Sequence, residues 1–501
     1  MSQQQPTAIS IPVPQLVANA IAAVIPEAYR AWWLDIYLHH PVHFFVETSL
    51  LLVIVYIVFK SPSKKQSEKR EVDENALRER LAAFSPEPLA PLVLSQEAQF
   101  VLDDMIVVDS AGNTPHVTCQ GRDFLNFAST DFLDFGSSDE IKQATKEALK
   151  TYGVGSCGPR GFYGTIDAHV HLEEAIAKYF NMPDAIIYSD AASAVSSAIP
   201  AFANRNDLLL VDERCNESIM VGVRLSRARV LYYKHNDSED LEDKMKLVQA
   251  EDERIGRKPT SQRRFVVFEG LFRNTGEVAK LDKIYQLKMM YKWRLFADEC
   301  LSFGVLGKQG RGVSELFNVP GDCIEILIGS METVLASVGG FCVGTQEVVE
   351  HQRLNGAGYC FSASAPPFTA RAAMATLELL ALPEQGGKKL VKLGELANLF
   401  QRQFASSKDL EVVSTYANSP VVHLRSKRVF ASVLNETKYL RQIAKQVREQ
   451  DGLLVVPTHF EGESNTLRLY IHVQHTEQEL KYAAQALLQA AATFTAEETE
   501  E

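Results

Sequence analysis

"RFVVFEGLFRNTGEVAKLDKIYQLKMMYKWRLFADECLSFGVLGKQGRG", Arg264 to Gly312, sets two apolar, β-rich runs on either side of a helical stretch. The runs are "RFVVFEG" (Arg264–Gly270) and "RLFADE" (Arg294–Glu299), and the pattern repeats along the chain. "AIIYS" (Ala185–Ser189), "LLLVD" (Leu208–Asp212), "VLYY" (Val230–Tyr233) and "EILIGS" (Glu325–Ser330) are of the same kind. Continuous Val/Ile/Leu runs separated by helices predict an α/β fold with a mainly parallel sheet covered on both faces. Sheets of that kind take ligands beyond the carboxyl ends of their strands. Asp212, Glu269, Asp298 and Ser330 all fall there, and a glycine-punctuated loop with Arg311 follows Asp298.

Outward from this core, "MIVVDSAGNTPHVTC" (Met105–Cys119) reads as two short strands around a Gly-Asn turn. After "SASAPPF" the pattern changes to the helical "ARAAMATLELLAL" and "GKKLVKLGELANLFQRQFASS", then the strands "VVHLRS", "LLVVP" and "LRLYIHV". The expected domains are an N-terminal arm (1–42), an apolar helix (43–60) and a charged linker with a short helix (61–95). A large domain (96–365), a smaller α+β domain (366–495) and an acidic tail (496–501) follow.

The chain has 501 residues, 46% hydrophobic and 23% charged, an ordinary globular balance. Its net charge of -12 argues against nucleic-acid binding, which needs a clustered basic face. Seven scattered cysteines without a CxxC pair indicate neither a zinc site nor a disulfide framework, and no metal is expected. Cys157 and Cys360 read as small packing residues.

"HFFVETSLLLVIVYIVFK", His43–Lys60, is apolar apart from its first turns, and as a helix it rises about 27 Å, near the roughly 30 Å of a bilayer core. A buried core helix is the alternative. Lys60, Lys64, Lys65, Lys69 and Arg70 follow it, whereas only Arg30 lies close upstream, which predicts a cytosolic C-terminal bulk. The upstream "LVANAIAAVIPEAYRAWWLDIYLHH" has tryptophans and few charges, and reads as an interfacial helix or a flexible arm.

"YGVGSCGPRGFYG", Tyr152–Gly164, carries five glycines in thirteen residues, a density that close backbone approach explains. With Asp167, His169, Leu172 and Glu173, then "DECLSFGVLGKQGRG", "ASVGGFCVG", "FSASAPP" and "TLRLYIHVQHT" in order, it resembles the α-oxoamine synthases. These are fold-type I pyridoxal-phosphate enzymes that join an amino acid to an acyl-CoA with loss of carbon dioxide. The resemblance runs from about Leu89 to the C-terminus and implies an aminotransferase-like three-layer domain with a smaller C-terminal domain. Within the family, "GPRGFYGT", "SMETVLASVGGFC" and "YCFSASAPP" resemble the long-chain-base subunits of eukaryotic serine palmitoyltransferases.

Carried over residue by residue, the resemblance implies departures. The slot of the cofactor-bearing lysine falls on Thr333, whose hydroxyl cannot form an imine. The ring-stacking histidine falls on Asn216, the histidine after the strand-end acid pair on Leu301, and the threonine of the phosphate turn on Ala363. Asp298 and Arg468 keep the positions of the pyridine-nitrogen aspartate and the substrate-carboxylate arginine. Family sites form between two subunits, so Arg160, Phe162, Tyr163, Ser362 and Ser364 are candidate contributions to a partner's site, with packing as the alternative for each.

No catalytic residue is therefore expected in this chain. The resemblance implies that pyridoxal phosphate is bound by a homologous lysine-bearing second subunit. L-serine and palmitoyl-CoA would be substrates of the pair, with small activating subunits and membrane regulators beside it at the endoplasmic reticulum. An autonomous enzyme with an unusual base, Lys308 being the nearest lysine, and a non-catalytic membrane scaffold are the other readings.

Overall fold

The computed structural model describes residues 27–60, 74–84, 89, 96–103, 105–109, 115–458 and 465–494. It divides into two units, residues 1–93 and 94–501. In the first, a helix at Glu27–His39 is followed by one at Pro41–Lys60, and a third spans Glu74–Ala83. Proline suits the first position of the second helix because its missing N–H would have no intrahelical partner there. Trp33 and Tyr37 meet Phe44 edge-on, with ring centroids 5.4 and 5.1 Å apart. Pro41–Lys60 is long and apolar enough to cross a membrane, with a mean hydropathy of 2.2 and no buried residue. The segments expected as outer arm and linker, 1–26 and 61–73, lie outside the described residues.

The second unit holds fourteen strands among the described residues. They are β1 His116–Cys119, β2 Arg122–Asn126, β3 Asp184–Tyr188, β4 Leu208–Asp212, β5 Arg229–Tyr233, β6 Arg264–Glu269 and β7 Arg294–Asp298. There follow β8 Ile326–Ser330, β9 Gly340–Gly344, β10 Leu410–Val412, β11 Val421–Ser426, β12 Leu453–Leu454, β13 Val456–Pro457 and β14 Leu467–Tyr470. The central sheet runs β3-β9-β8-β7-β6-β4-β5. Its pairs from β8 to β5 are parallel, and β9 lies antiparallel between β3 and β8. Every residue of β4, β8 and β9 is buried, as a sheet covered on both faces requires.

Gly329 and Phe341 are cross-strand partners, and a Cβ at Gly329 would stand 2.1 Å from the Phe341 ring. The glycine is what lets β9 close against β8. The turn expected at Gly112–Asn113 lies outside the described residues; β1 and β2 are joined at Gln120–Gly121, both at positive φ. Glycine adopts that left-handed backbone without strain, which suits a two-residue hairpin loop. β2 also pairs in parallel with β12, so this N-terminal hairpin joins the C-terminal part of the chain. A separate antiparallel sheet, β10-β11-β14-β13, carries Arg468.

Candidate functional site

Beyond the carboxyl ends of β6, β7 and β8 lies a cleft of about 360 Å³, lined among others by Asn216, Glu269, Arg273, Asp298, Ser330 and Thr333. Asp212 does not reach it. Its carboxylate accepts hydrogen bonds from the backbone of Arg214 and Asn236 at 2.9 and 2.8 Å and pairs with His235.

Asn216 organises the floor. It caps the helix Glu217–Ser226, its Oδ1 accepting from Ile219 N at 3.2 Å. Its Nδ2 donates to Asp298 Oδ2 at 2.8 Å, and its backbone N donates to Glu269 Oε1 at 2.7 Å. Cys300 N donates to the other Asp298 oxygen at 2.9 Å, and Arg273 N to Glu269 Oε2 at 3.0 Å. Burial and the neighbouring Asp298 push the Glu269 carboxyl up to about 8, so two adjacent acids share the floor with one of them protonated near neutrality.

Thr333 stands in the cleft wall, where its hydroxyl donates to Cys300 O at 3.1 Å; Leu301 is buried beside it. Glu332 accepts from Ala191 N at 3.3 Å, at the first turn of the helix Ala191–Phe202. A helix N-terminus is a ready anion site, and here a side chain of the same chain already holds it. No lysine is among the described residues lining the cleft. Lys308 is exposed beside a different cavity, next to the helix Lys388–Arg402.

These observations test the fit of pyridoxal phosphate. That cofactor asks for an amine to hold its aldehyde, an anion site for its phosphate and a free acceptor for its ring nitrogen. The wall offers Thr333, Glu332 sits at the helix terminus, and Asp298 is bonded to Asn216. The residues present do not fit the group.

Arg160 is buried, its guanidinium held by both oxygens of Glu173 at 3.0 Å each and by Thr165 Oγ1 at 2.9 Å. Its charge is spent inside the chain rather than offered to a neighbour. Phe162 and Tyr163 beside it are 69% and 100% exposed, and Tyr163 has a φ of 66°. Ser364 binds Gly158 O at 2.9 Å and so ties the "CFSAS" turn to the glycine-rich loop, while Ser362 meets Ser189 at 3.1 Å. All seven cysteines are free; Cys157 is exposed at positive φ in the same loop, so it does not pack inside the chain as the sequence suggests.

Arg468 does not line the cleft. It stands on β14 beside His423, whose Nε2 donates to Arg273 O at 2.9 Å, and so lies behind Arg273. Burial and the Arg468 charge press the His423 imidazole down to about 3, fixing it neutral. Arg273 and Glu332 were not singled out from the sequence, although Glu332 lies within "SMETVLASVGGFC" beside Thr333. Elsewhere, ligand-type atoms of Asp131, Asp134 and His472 lie within 4.8 Å of one another. The Lys389 ammonium, bound to Leu133 O at 2.5 Å, already supplies positive charge there.

A family described as "Aminotransferase class I and II" matches residues 122–487, which defines the class: a fold-type I, pyridoxal-phosphate-type α/β protein. The chain is 35% identical over 450 residues to "Long chain base biosynthesis protein 1" of Arabidopsis thaliana, covering 89% of this chain and 90% of that one. It is 38% identical over 435 residues to "Serine palmitoyltransferase 1" of Dictyostelium discoideum, covering 84% and 86%. A solved structure of SPT with PLP has a TM-score of 0.70 at 23% identity, covers 79% of this chain and 96% of that one, and shares the fold. The chain belongs to the serine palmitoyltransferase 1, or long chain base biosynthesis protein 1, family.

Proposed function

We propose that this chain is the non-catalytic, obligatory subunit of a serine C-palmitoyltransferase, the enzyme of the first step of sphingolipid synthesis. Its lysine-bearing homologous partner holds pyridoxal phosphate and condenses L-serine with palmitoyl-CoA, releasing carbon dioxide and CoA and forming 3-ketodihydrosphingosine. This chain stabilises the partner and anchors it through Pro41–Lys60 to the endoplasmic reticulum membrane, with the large domain in the cytosol; small activating subunits and membrane regulators join the pair. The observation that carries the reading is the lysine-free cleft, in which Thr333 and Glu332 are bonded to the chain's own backbone. Exposed Phe162 and Tyr163 supply a partner-facing surface, and Ser362 and Ser364 shape the turn behind it.

The test is purification of the full chain alone and with the lysine-bearing partner, followed by the visible spectrum of bound cofactor and product formation. The expected result is cofactor absorbance and activity only when the partner is present. Cofactor absorbance from this chain alone would overturn the reading, and full activity of the partner without it would favour the scaffold.

A further inference from the structure

The helix Glu27–His39 is bent back onto the helix that follows it. In a straight helix the backbones of Trp33 and Phe44 would stand about 16 Å apart along the axis. Their ring centroids are 5.4 Å apart, and Tyr37 meets the same Phe44 ring at 5.1 Å. The bend lies at Pro41, which has no N–H to donate and whose ring crowds the carbonyl of the preceding turn. Helical bonds run on either side of it, from His40 N to Ile36 O at 2.8 Å and from Phe44 N to His40 O at 3.1 Å. The chain therefore folds toward the face that carries Trp33, Tyr37 and Phe44.

Tyr29, Trp33, Ile36 and Tyr37 recur at helical spacing on that inner face, with Trp32 at its edge. Tyr29, Trp32 and Tyr37 are nonetheless exposed. The opposite face carries Glu27, Asp35 and His39, and Asp35 pairs with His39 at 3.0 Å. In Pro41–Lys60 the half-buried residues are Phe44, Glu47 and Thr48, again one face, so the bend shelters the acid of an otherwise apolar helix. The Thr48 hydroxyl is satisfied within the helix, donating to Phe44 O at 2.7 Å. Trp and Tyr favour the boundary between headgroups and acyl chains, where the ring is apolar and its N–H or O–H stays wet. We propose that Glu27–His39 lies flat in that boundary on the non-cytosolic side, with Tyr29, Trp33 and Tyr37 on the acyl chains and Glu27, Asp35 and His39 in water. The lipid it fits is a neutral, zwitterionic phospholipid. The helix's charged residues are Glu27, Arg30 and Asp35, an excess of acid that disfavours anionic headgroups. The placement depends on Pro41–Lys60 spanning the membrane.

The test is fluorescence quenching of the full chain in phosphatidylcholine vesicles, with the signal of the Trp32→Phe/Trp33→Phe variant subtracted to remove the buried Trp293. Flotation of the chain with the vesicles first checks the span. Lipid brominated near the headgroup is expected to quench the difference emission about twofold more than lipid brominated near the chain end, with iodide on both sides having little effect. Added phosphatidylserine should change neither result, and quenching that requires it would overturn the neutral surface. A chain that does not float overturns the span and the placement together. A floating chain quenched by iodide alone overturns the placement and leaves the span. Protection from both quenchers would put a second copy of the chain over this face, and strongest quenching from the chain end would put the helix inside the bilayer; either result overturns the placement.

Discussion

Asn216 Nδ2 donates to Asp298 Oδ2 at 2.8 Å, joining the cap of one helix to the end of a strand 82 residues later. The same side chain caps its helix through Ile219 N. Asn216→Ala removes both bonds and leaves a buried carboxylate short of a donor, at an expected cost of about 2–3 kcal/mol. Asn216→Asp keeps the cap but places a second negative charge against Asp298, and should cost more. Urea unfolding of the full chain measures both; unchanged midpoints would show that the bond contributes nothing.

Arg160 and Glu173 form a buried, two-pronged ion pair, and Glu173 also accepts from Ile187 N at 3.0 Å. Removing the cation leaves the buried carboxylate only Ile187 N and the more distant Arg353 guanidinium at 3.7 Å, so Arg160→Ala is expected to destabilise the chain by about 3 kcal/mol. The loss should appear as a lower unfolding midpoint in the isolated chain. Lower turnover at an unaltered midpoint would instead assign Arg160 to the partner's chemistry.

Glu269 titrates in the fold near 8, against an ordinary value of 4.5, because burial and Asp298 disfavour its charge. Between those values the folded chain keeps a proton that the unfolded chain has lost. Glu269 therefore contributes stability that is complete below about pH 4.5 and is lost as pH rises through about 8. Glu269→Gln holds a neutral group in place, so its stability relative to the parent should rise steadily from pH 5 to 8. Denaturant melts at several pH values give this difference, and a flat difference would place the ionised form in the fold.

Tyr163 combines a φ of 66° with complete exposure, a strained backbone without a packing return inside the chain. Tyr163→Gly relieves the strain and should leave the unfolding free energy unchanged or raise it by about 1 kcal/mol. Its recovery of the lysine-bearing partner in co-purification should fall. Equal recovery would remove Tyr163 from the contact.

The strands of the central sheet were legible where they are apolar runs: Leu208–Asp212 and Arg264–Glu269 fall as their residues suggest. Gly340–Gly344 was not counted among those runs, because its terminal glycines hide a strand that is buried throughout. Leu410–Val412 is too short to show a period. Thr333, Asn216 and Asp298 were recognisable through their motifs, and the structure brings all three to one cleft. Glu332 and Arg273 were not, because neither follows a spacing rule; each matters through what folding sets beside it. Arg160 and Glu173 stand thirteen residues apart across a kinked loop, a separation that no helical pattern reveals.

Glu332 neutralises the helix terminus at Ala191 from within the same polypeptide. A terminus filled by a diffusible phosphate is stabilised by mass action and weakens when that solute runs short. Here the counter-charge is present at effectively constant concentration, so this contact does not vary with vitamin supply. A helix terminus closed in this way holds its counter-charge at every cofactor concentration.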